Sequence, residues 1–330
     1  MNIAQPPTTL FIELTTECNS RCRYCHMWTL TDADDSLTTD ERRAVIAAFA
    51  LLNPHGEVVF TGGETMRKLG EFLALTGQCR DLGLRSAANT NGSYISPENY
   101  ERVLLEGPTF LVFSLDSHLA SVHDFNRGLS GSLRETTATI QGLLRMRDEL
   151  ARDGASEVVT NSVLLDGNIA SLFEFLEFLG TLGVDGATFQ ILSPTFYRRS
   201  EVDSFYQQHF FKDKPLAVDT LQRLIERLEE FPFVRTTAAD LRWMQRYILF
   251  PAELEEGVCG SHERNMMVDH RGDVQLCFNM RKIFHGDVVG NVRVTHLEDL
   301  WIGDKASAAR DIMSRCRLTC GMLNCHRKPT

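Results

Sequence analysis

Six short apolar runs, each followed by an amphipathic stretch, govern what the first two-thirds of this chain can become. The runs are Leu10–Leu14, Glu57–Thr61, Leu84–Ala88, Thr109–Ser114, Glu157–Val163 and Ala187–Leu192. Between them, Thr39–Leu52, Arg67–Leu82, Pro97–Leu105, Leu133–Asp153 and Ala170–Leu182 carry apolar residues at helical spacing. Strands separated by single helices imply βαβ units, a parallel sheet and right-handed crossovers. Six such strands make an open, partial (β/α)6 barrel more economical than a closed barrel of eight. Chemistry then belongs at the C-terminal strand ends, where the loops converge. From about Ser193 the alternation stops. The pattern predicts an α/β core over residues 1–195 and a bridging helical segment over 196–256, with a helix at Ala217–Glu230. A small cysteine-rich domain follows over 257–330, with a hairpin at Met267–Cys277 turning on His270-Arg271-Gly272-Asp273 and an amphipathic segment at Leu297–Ser314.

Charge and cysteine usage narrow the function. The 330 residues carry a formal net charge of −10 and no block of Lys and Arg. Nucleic acid is therefore not an expected partner, because a phosphate backbone needs a basic track. The N-terminal stretch lacks the basic and apolar signature of a signal peptide, and no run is long enough to span a membrane. A cytoplasmic protein is expected, in which nine cysteines are poor candidates for structural disulfides. Three lie within eight residues near the N-terminus, Cys79 stands alone in an amphipathic stretch as an inert buried thiol, and five fall between Cys259 and Cys325. Two separated groups of thiols point to two metal centres.

Cys18, Cys22 and Cys25 form a CxxxCxxC run just after the first strand. Three thiolates leave one iron of a four-iron cluster without a protein ligand, open to chelation by a small molecule. Zinc is the alternative, with His26 completing four ligands. The run, with Tyr24 directly before its third cysteine, resembles the signature of the radical S-adenosylmethionine (SAM) superfamily. That resemblance implies a 4Fe–4S cluster on the three cysteines, SAM on its open iron, and reductive cleavage to a 5′-deoxyadenosyl radical. A flavodoxin- or ferredoxin-type electron donor is implied as partner. It also implies that Tyr24 backbone groups approach the adenine and that Thr61-Gly62-Gly63-Glu64 receives the SAM amino group. Asn89 and Asn91 after the third strand, and Ser114 and Asp116 after the fourth, match places where the family contacts SAM. His123-Asp124-Phe125-Asn126-Arg127-Gly128 resembles its HDxxRG segment, with Arg127 as carboxylate clamp, and Asn161 occupies the fifth-strand contact. Each of these polar residues also suits a cap or a turn. His26 and Trp28 either shield the first cluster or simply pack.

The C-terminal segment resembles the auxiliary-cluster domains called SPASM and twitch. The resemblance rests on Gly272-x4-Cys277, Gly290-Asn291-Val292, Leu297-Glu298-Asp299-Leu300-Trp301, and the closing Cys316, Cys320 and Cys325. It implies a second 4Fe–4S cluster on Cys259, Cys277, Cys316 and Cys320, with Cys325 as spare or substitute; a zinc knuckle is the alternative. Met266 and Met267 read as core, as do Leu172, Phe175 and Leu179.

A second cluster suits removal of an electron from substrate. Hydrogen abstraction from a carbinol carbon and loss of the hydroxyl proton leave a strongly reducing radical, which becomes a ketone by giving up one electron. This favours dehydrogenation of a small hydroxyl-rich molecule, a sugar or aminocyclitol in natural-product biosynthesis. Asp116, Tyr197, Glu201 and Asp203 are candidate bases. Epimerisation is the rival, but it needs a hydrogen donor, and no cysteine occurs between Cys79 and Cys259; Cys325 serves only if it is not a ligand. Modification of a ribosomal peptide is a third reading, which the 17 residues before Cys18 leave without room for a leader-binding module. A zinc-binding scaffold is the non-enzyme reading.

Overall fold

The computed structural model describes residues 5–30, 35–151, 154–194, 203–251, 259–284 and 286–317. Six parallel strands form in the predicted order: β1 (Thr9–Glu13), β2 (Glu57–Thr61), β3 (Arg85–Thr90), β4 (Phe110–Ser114), β5 (Glu157–Leu164) and β6 (Gly186–Ile191). The intervening helices are α1 (Thr39–Leu52), α2 (Leu69–Asp81), α3 (Tyr100–Glu106), α4 (Ala120–Arg127) and α5 (Ser132–Leu150), followed by Leu172–Leu182. The first of them starts where Thr38 and Glu41 satisfy each other's backbone N–H groups in a capping box.

The sheet stays open and does not end at the barrel. Beyond β1 it continues through β7 (Asn265–Val268), β8 (Asp273–Gln275) and β9 (Gly290–Asn291), in the order β6-β5-β4-β3-β2-β1-β7-β8-β9. The predicted hairpin is present, with Met267 opposite Gln275. Its first strand lies parallel to β1, pairing Thr9 with Asn265 and Ile12 with Val268. The cysteine-rich segment is thereby hydrogen-bonded to the barrel. Leu297–Ser314 divides at Gly303 into two helices, Leu297–Ile302 and Asp304–Met313. The bridging segment holds Lys214–Glu226 and two further helices, Ser204–His209 and Ala238–Leu249. Among the described residues, no helix is long and apolar enough to cross a membrane.

Alternation along the strands separates core from cavity. Leu10, Ile12, Val58, Phe60, Leu111, Phe113 and Val158 are fully buried under the helices. Each such side chain contributes about 1.5–3 kcal/mol through burial. Their neighbours Phe11, Val59, Thr61, Val112, Ser114, Asn161, Thr188 and Gln190 face inward and wall a cavity of about 620 Å³. Half of the strand pattern thus builds the core, and the other half builds a binding surface.

Candidate functional site

At the C-terminal ends of the strands, Cys18, Cys22 and Cys25 open into one cavity of about 170 Å³ with Tyr24, Gly62, Gly63, Glu64, Asn89, Asn91, Ser114 and Arg127. Most of the predicted first-site residues are therefore brought together. Trp28 joins them and donates its indole N–H to the Cys22 carbonyl at 3.3 Å. Burial pushes the Cys18 thiol up to about 12 and Cys25 up to about 11. It also raises Cys22, against which the Arg127 cation works. Without a metal these thiols hold their protons, so loading a metal group releases protons. Among the described residues, no three of His, Cys, Asp and Glu are gathered as for a single metal ion.

The glycine pair also has a role in the chain's own packing. The close approach it permits is to the chain's own thiol loop. Gly63 N–H donates to the Thr15 carbonyl at 2.7 Å and Glu64 N–H to the Glu17 carbonyl at 2.9 Å. A Cβ on Gly63 would stand 2.1 Å from the Glu17 oxygen, and Gly62 has φ +129°. Gly63→Ala is expected to displace the thiol loop, cost about 2–3 kcal/mol in urea unfolding and lower the iron retained per chain. Unchanged stability and iron would contradict this packing role.

Glu64, the last residue of the motif expected to receive the SAM amino group, is buried with both oxygens already engaged. Oε1 accepts from Thr90 Oγ1 at 2.6 Å and from Met66 N–H at 3.2 Å, and Oε2 accepts from Asn91 N–H at 2.8 Å. Burial raises its carboxyl above the ordinary range. It is a strut between the β2 and β3 ends. Asn91 likewise braces the thiol loop, donating to Asn19 Oδ1 and Ser20 Oγ at 2.9 Å each.

Asp116 is not placed as a base. It is 1% exposed and lines neither cavity. Its oxygens accept from Arg127 at 2.8 Å, Tyr24 Oη at 2.7 Å and Val163 N–H at 3.0 Å. Its own N–H donates to His123 Nδ1 at 3.1 Å. That bond requires Nδ1 unprotonated, and burial, aided by Arg127, lowers His123 to about 4. A depressed folded value means that the unfolded chain binds the proton first as pH falls. His123 therefore contributes stability that is complete above about pH 6.5 and lost towards pH 4, on the order of 3 kcal/mol. Urea midpoints of the wild type should fall through this window. His123→Asn, which keeps an acceptor but cannot titrate, should fall less; an equal fall would contradict the assignment.

Asp203 caps a helix, accepting from Tyr206 N–H at 3.0 Å. Tyr197, Glu201, Cys320 and Cys325 lie outside the described residues. Asn161 lines the larger cavity, which includes Cys25, but not the one shared by all three thiols, and accepts from Thr188 Oγ1 at 3.1 Å. Cys79 is fully buried, as expected.

The two cavities share Tyr24, Cys25, Met27, Thr61, Gly62, Asn89 and Ser114 as a common wall. The larger one runs the depth of the barrel. Its far end is Thr9, Glu57, Arg264, Asn265 and Phe278, at the N-terminal ends of the strands. Cys259 and Cys277 belong to this end. The β7–β8 register returns the chain to the level of Asn265 at Cys277, next to Phe278. Ser261 Oγ donates to the Leu276 carbonyl at 2.6 Å. Burial raises the Cys259 thiol, which also lies within electrostatic reach of Cys316 and Arg264. Three of the predicted second-site cysteines thus fall in one region. Arg264 and Phe278 escape the sequence reading because only the β1–β7 pairing carries them beneath the barrel.

Comparison with known proteins agrees with this layout. Residues 12–179 match the family model described as radical SAM superfamily. Residues 259–326 match the SPASM model, an iron–sulfur cluster-binding domain. An AdoMet-dependent heme synthase of Nitratidesulfovibrio vulgaris is 28% identical over 185 residues, which are 56% of this chain and 47% of that protein. The chain spans about half the length of the heme synthases it matches or less. A probable GTP 3′,8-cyclase of Thermococcus kodakarensis is 26% identical over 237 residues, 69% of this chain and 72% of that one. Streptococcus suis SuiB bound to S-adenosylmethionine shares the fold, with TM-score 0.71 and 16% identity over 96% of this chain and 73% of that one.

Proposed function

The chain belongs to the radical SAM superfamily, and from that premise we propose that it oxidises a carbinol carbon of a small hydroxyl-rich substrate to a ketone. A 4Fe–4S cluster and SAM are its cofactors, and the SPASM segment implies auxiliary iron–sulfur binding. The residues present fit these groups. Three thiols face one cavity, and Arg127 keeps its Nε–H buried with no acceptor among the described residues. Cys18, Cys22 and Cys25 hold the first cluster in this reading; Cys259, Cys277, Cys316 and one of the last two cysteines hold the second. When bound, these groups supply a hydrogen-abstracting radical at one site and an electron acceptor at the other.

The carrying observation is the single cavity with Cys25 in the wall at one end and Phe278, beside Cys277, at the other. Thr61, Asn89, Ser114, Asn161, Thr188 and Gln190 line it with uncharged donors and acceptors. Such walls orient hydroxyl groups without the cost of burying a charge. Phe11 and Phe278, packed edge to face at 5.2 Å, add apolar surface towards the far end. The relatives are named for heme synthesis and GTP cyclisation, so the choice of reaction rests on this chain's own cavity. Epimerisation needs a hydrogen donor in that cavity. Among the described lining residues the cysteine present is Cys25, assigned to the cluster. An external one-electron donor of flavodoxin or ferredoxin type is needed to start turnover.

The test is turnover of a panel of polyols and aminocyclitols in deuterated solvent. The reading expects a ketone, and no solvent deuterium at the carbinol carbon of the recovered alcohol. Deuterium in an inverted alcohol would replace it with epimerisation.

A further inference from the structure

Arg127 is the last residue of α4, and its backbone and side chain both meet the thiol loop. Arg21 N–H donates to the Arg127 carbonyl at 3.2 Å and Arg23 N–H to the Asn126 carbonyl at 2.9 Å. Gly128 turns the chain at φ +61°, and a Cβ there would lie 2.2 Å from the Arg21 carbonyl oxygen. The side chain is 8% exposed and donates from Nη2 to Asp116 at 2.8 Å. Its guanidinium carbon sits 5.5 Å from the centre of the Tyr24 ring. It lines the same cavity as the Cys22 thiol, and its positive charge works against the rise that burial imposes on that thiol. Asp116 thus anchors one edge of the guanidinium, while its buried Nε–H has no acceptor among the described residues.

We propose that Arg127 is a positioning residue for the first cluster: held by Asp116 at the wall of the thiol cavity, its cation sets how readily the cluster accepts an electron. The inference rests on the reading of Cys22 as a cluster ligand. Hydrogen bonds to cluster sulfurs and nearby positive charge stabilise the more negative, reduced form. Asp116 opposes that effect through space while holding the guanidinium in place. The two members of the pair therefore act on the cluster with opposite signs, which a purely structural role does not require.

The experiment reads the ratio of reduced to oxidised first cluster by electron paramagnetic resonance. It is done without SAM, at one fixed mediator potential, in a Cys259→Ala, Cys277→Ala background free of the second cluster. Arg127→Gln should lower the ratio about tenfold, equivalent to about 59 mV for a one-electron couple. Asp116→Asn, which keeps an acceptor for Arg127 but removes the negative charge, should raise it. If Arg127→Gln fails to hold the cluster, the sign of the Asp116→Asn shift decides alone. A shift of both variants in the same direction, or no shift at matched iron content, would overturn the proposal. A first-cluster signal that persists in Cys22→Ala would remove the ligand reading as well. Loss of that signal with no shift in the other variants would remove this inference only.

Discussion

Cys18→Ala is expected to end SAM cleavage and to reduce the iron of an anaerobically reconstituted chain from about eight to about four atoms. The three thiols share one cavity, and that loop is fixed from three sides. The Gly63 and Glu64 amides hold it from β2, Asn91 from β3, and the end of α4 from β4. With the loop so constrained, no other cysteine among the described residues can take the place of Cys18: Cys79 is buried within α2, and Cys259, Cys277 and Cys316 belong to the opposite end of the barrel. The second site should therefore load normally. Formation of 5′-deoxyadenosine and iron content check both halves. Retained cleavage in Cys18→Ala would refute the three-thiol assignment.

The second large effect is expected on coupling, not on cleavage. Cys277→Ala should keep forming 5′-deoxyadenosine while ketone product falls by about a hundredfold or more. Cys277 is 3% exposed and precedes Phe278, which lines the far end of the cavity and packs against Phe11. Losing this ligand costs metal affinity at least as much as losing an outer-shell partner, which alone removes about 10–100-fold. The radical left on the substrate then has no acceptor at the far end and reverts or is quenched. The ratio of 5′-deoxyadenosine to ketone measures this directly. A normal ratio would mean that the electron leaves by another route.

The barrel was legible because its punctuation is local. Glu57–Thr61 is bounded by Gly56 before it and Gly62 after it, and Thr39–Leu52 begins at a capping box, so both elements match their predicted bounds. What stayed hidden depends on partners distant in sequence. Asn265–Val268 has only four residues and gives no sign that it pairs with Thr9–Ile12, yet this pairing brings Arg264 and Phe278 beneath the barrel. The carboxylates of Glu64 and Asp116 stand beside ligand-like motifs in sequence. Only the structure shows that backbone amides, Thr90, Tyr24 and Arg127 already occupy their oxygens. Polar residues at alternate strand positions, such as Asn161, Thr188 and Gln190, were the available signal for the cavity. The apolar core was read from the other half of the same alternation.

One measurement addresses the joined cavity most directly. The wild-type enzyme, with its first cluster reduced and its second oxidised, is mixed with SAM and a turned-over hydroxylated substrate, then frozen after a single turnover. One reduced second cluster is expected for each 5′-deoxyadenosine and each ketone formed. A second cluster that stays oxidised while ketone and 5′-deoxyadenosine accumulate would contradict it.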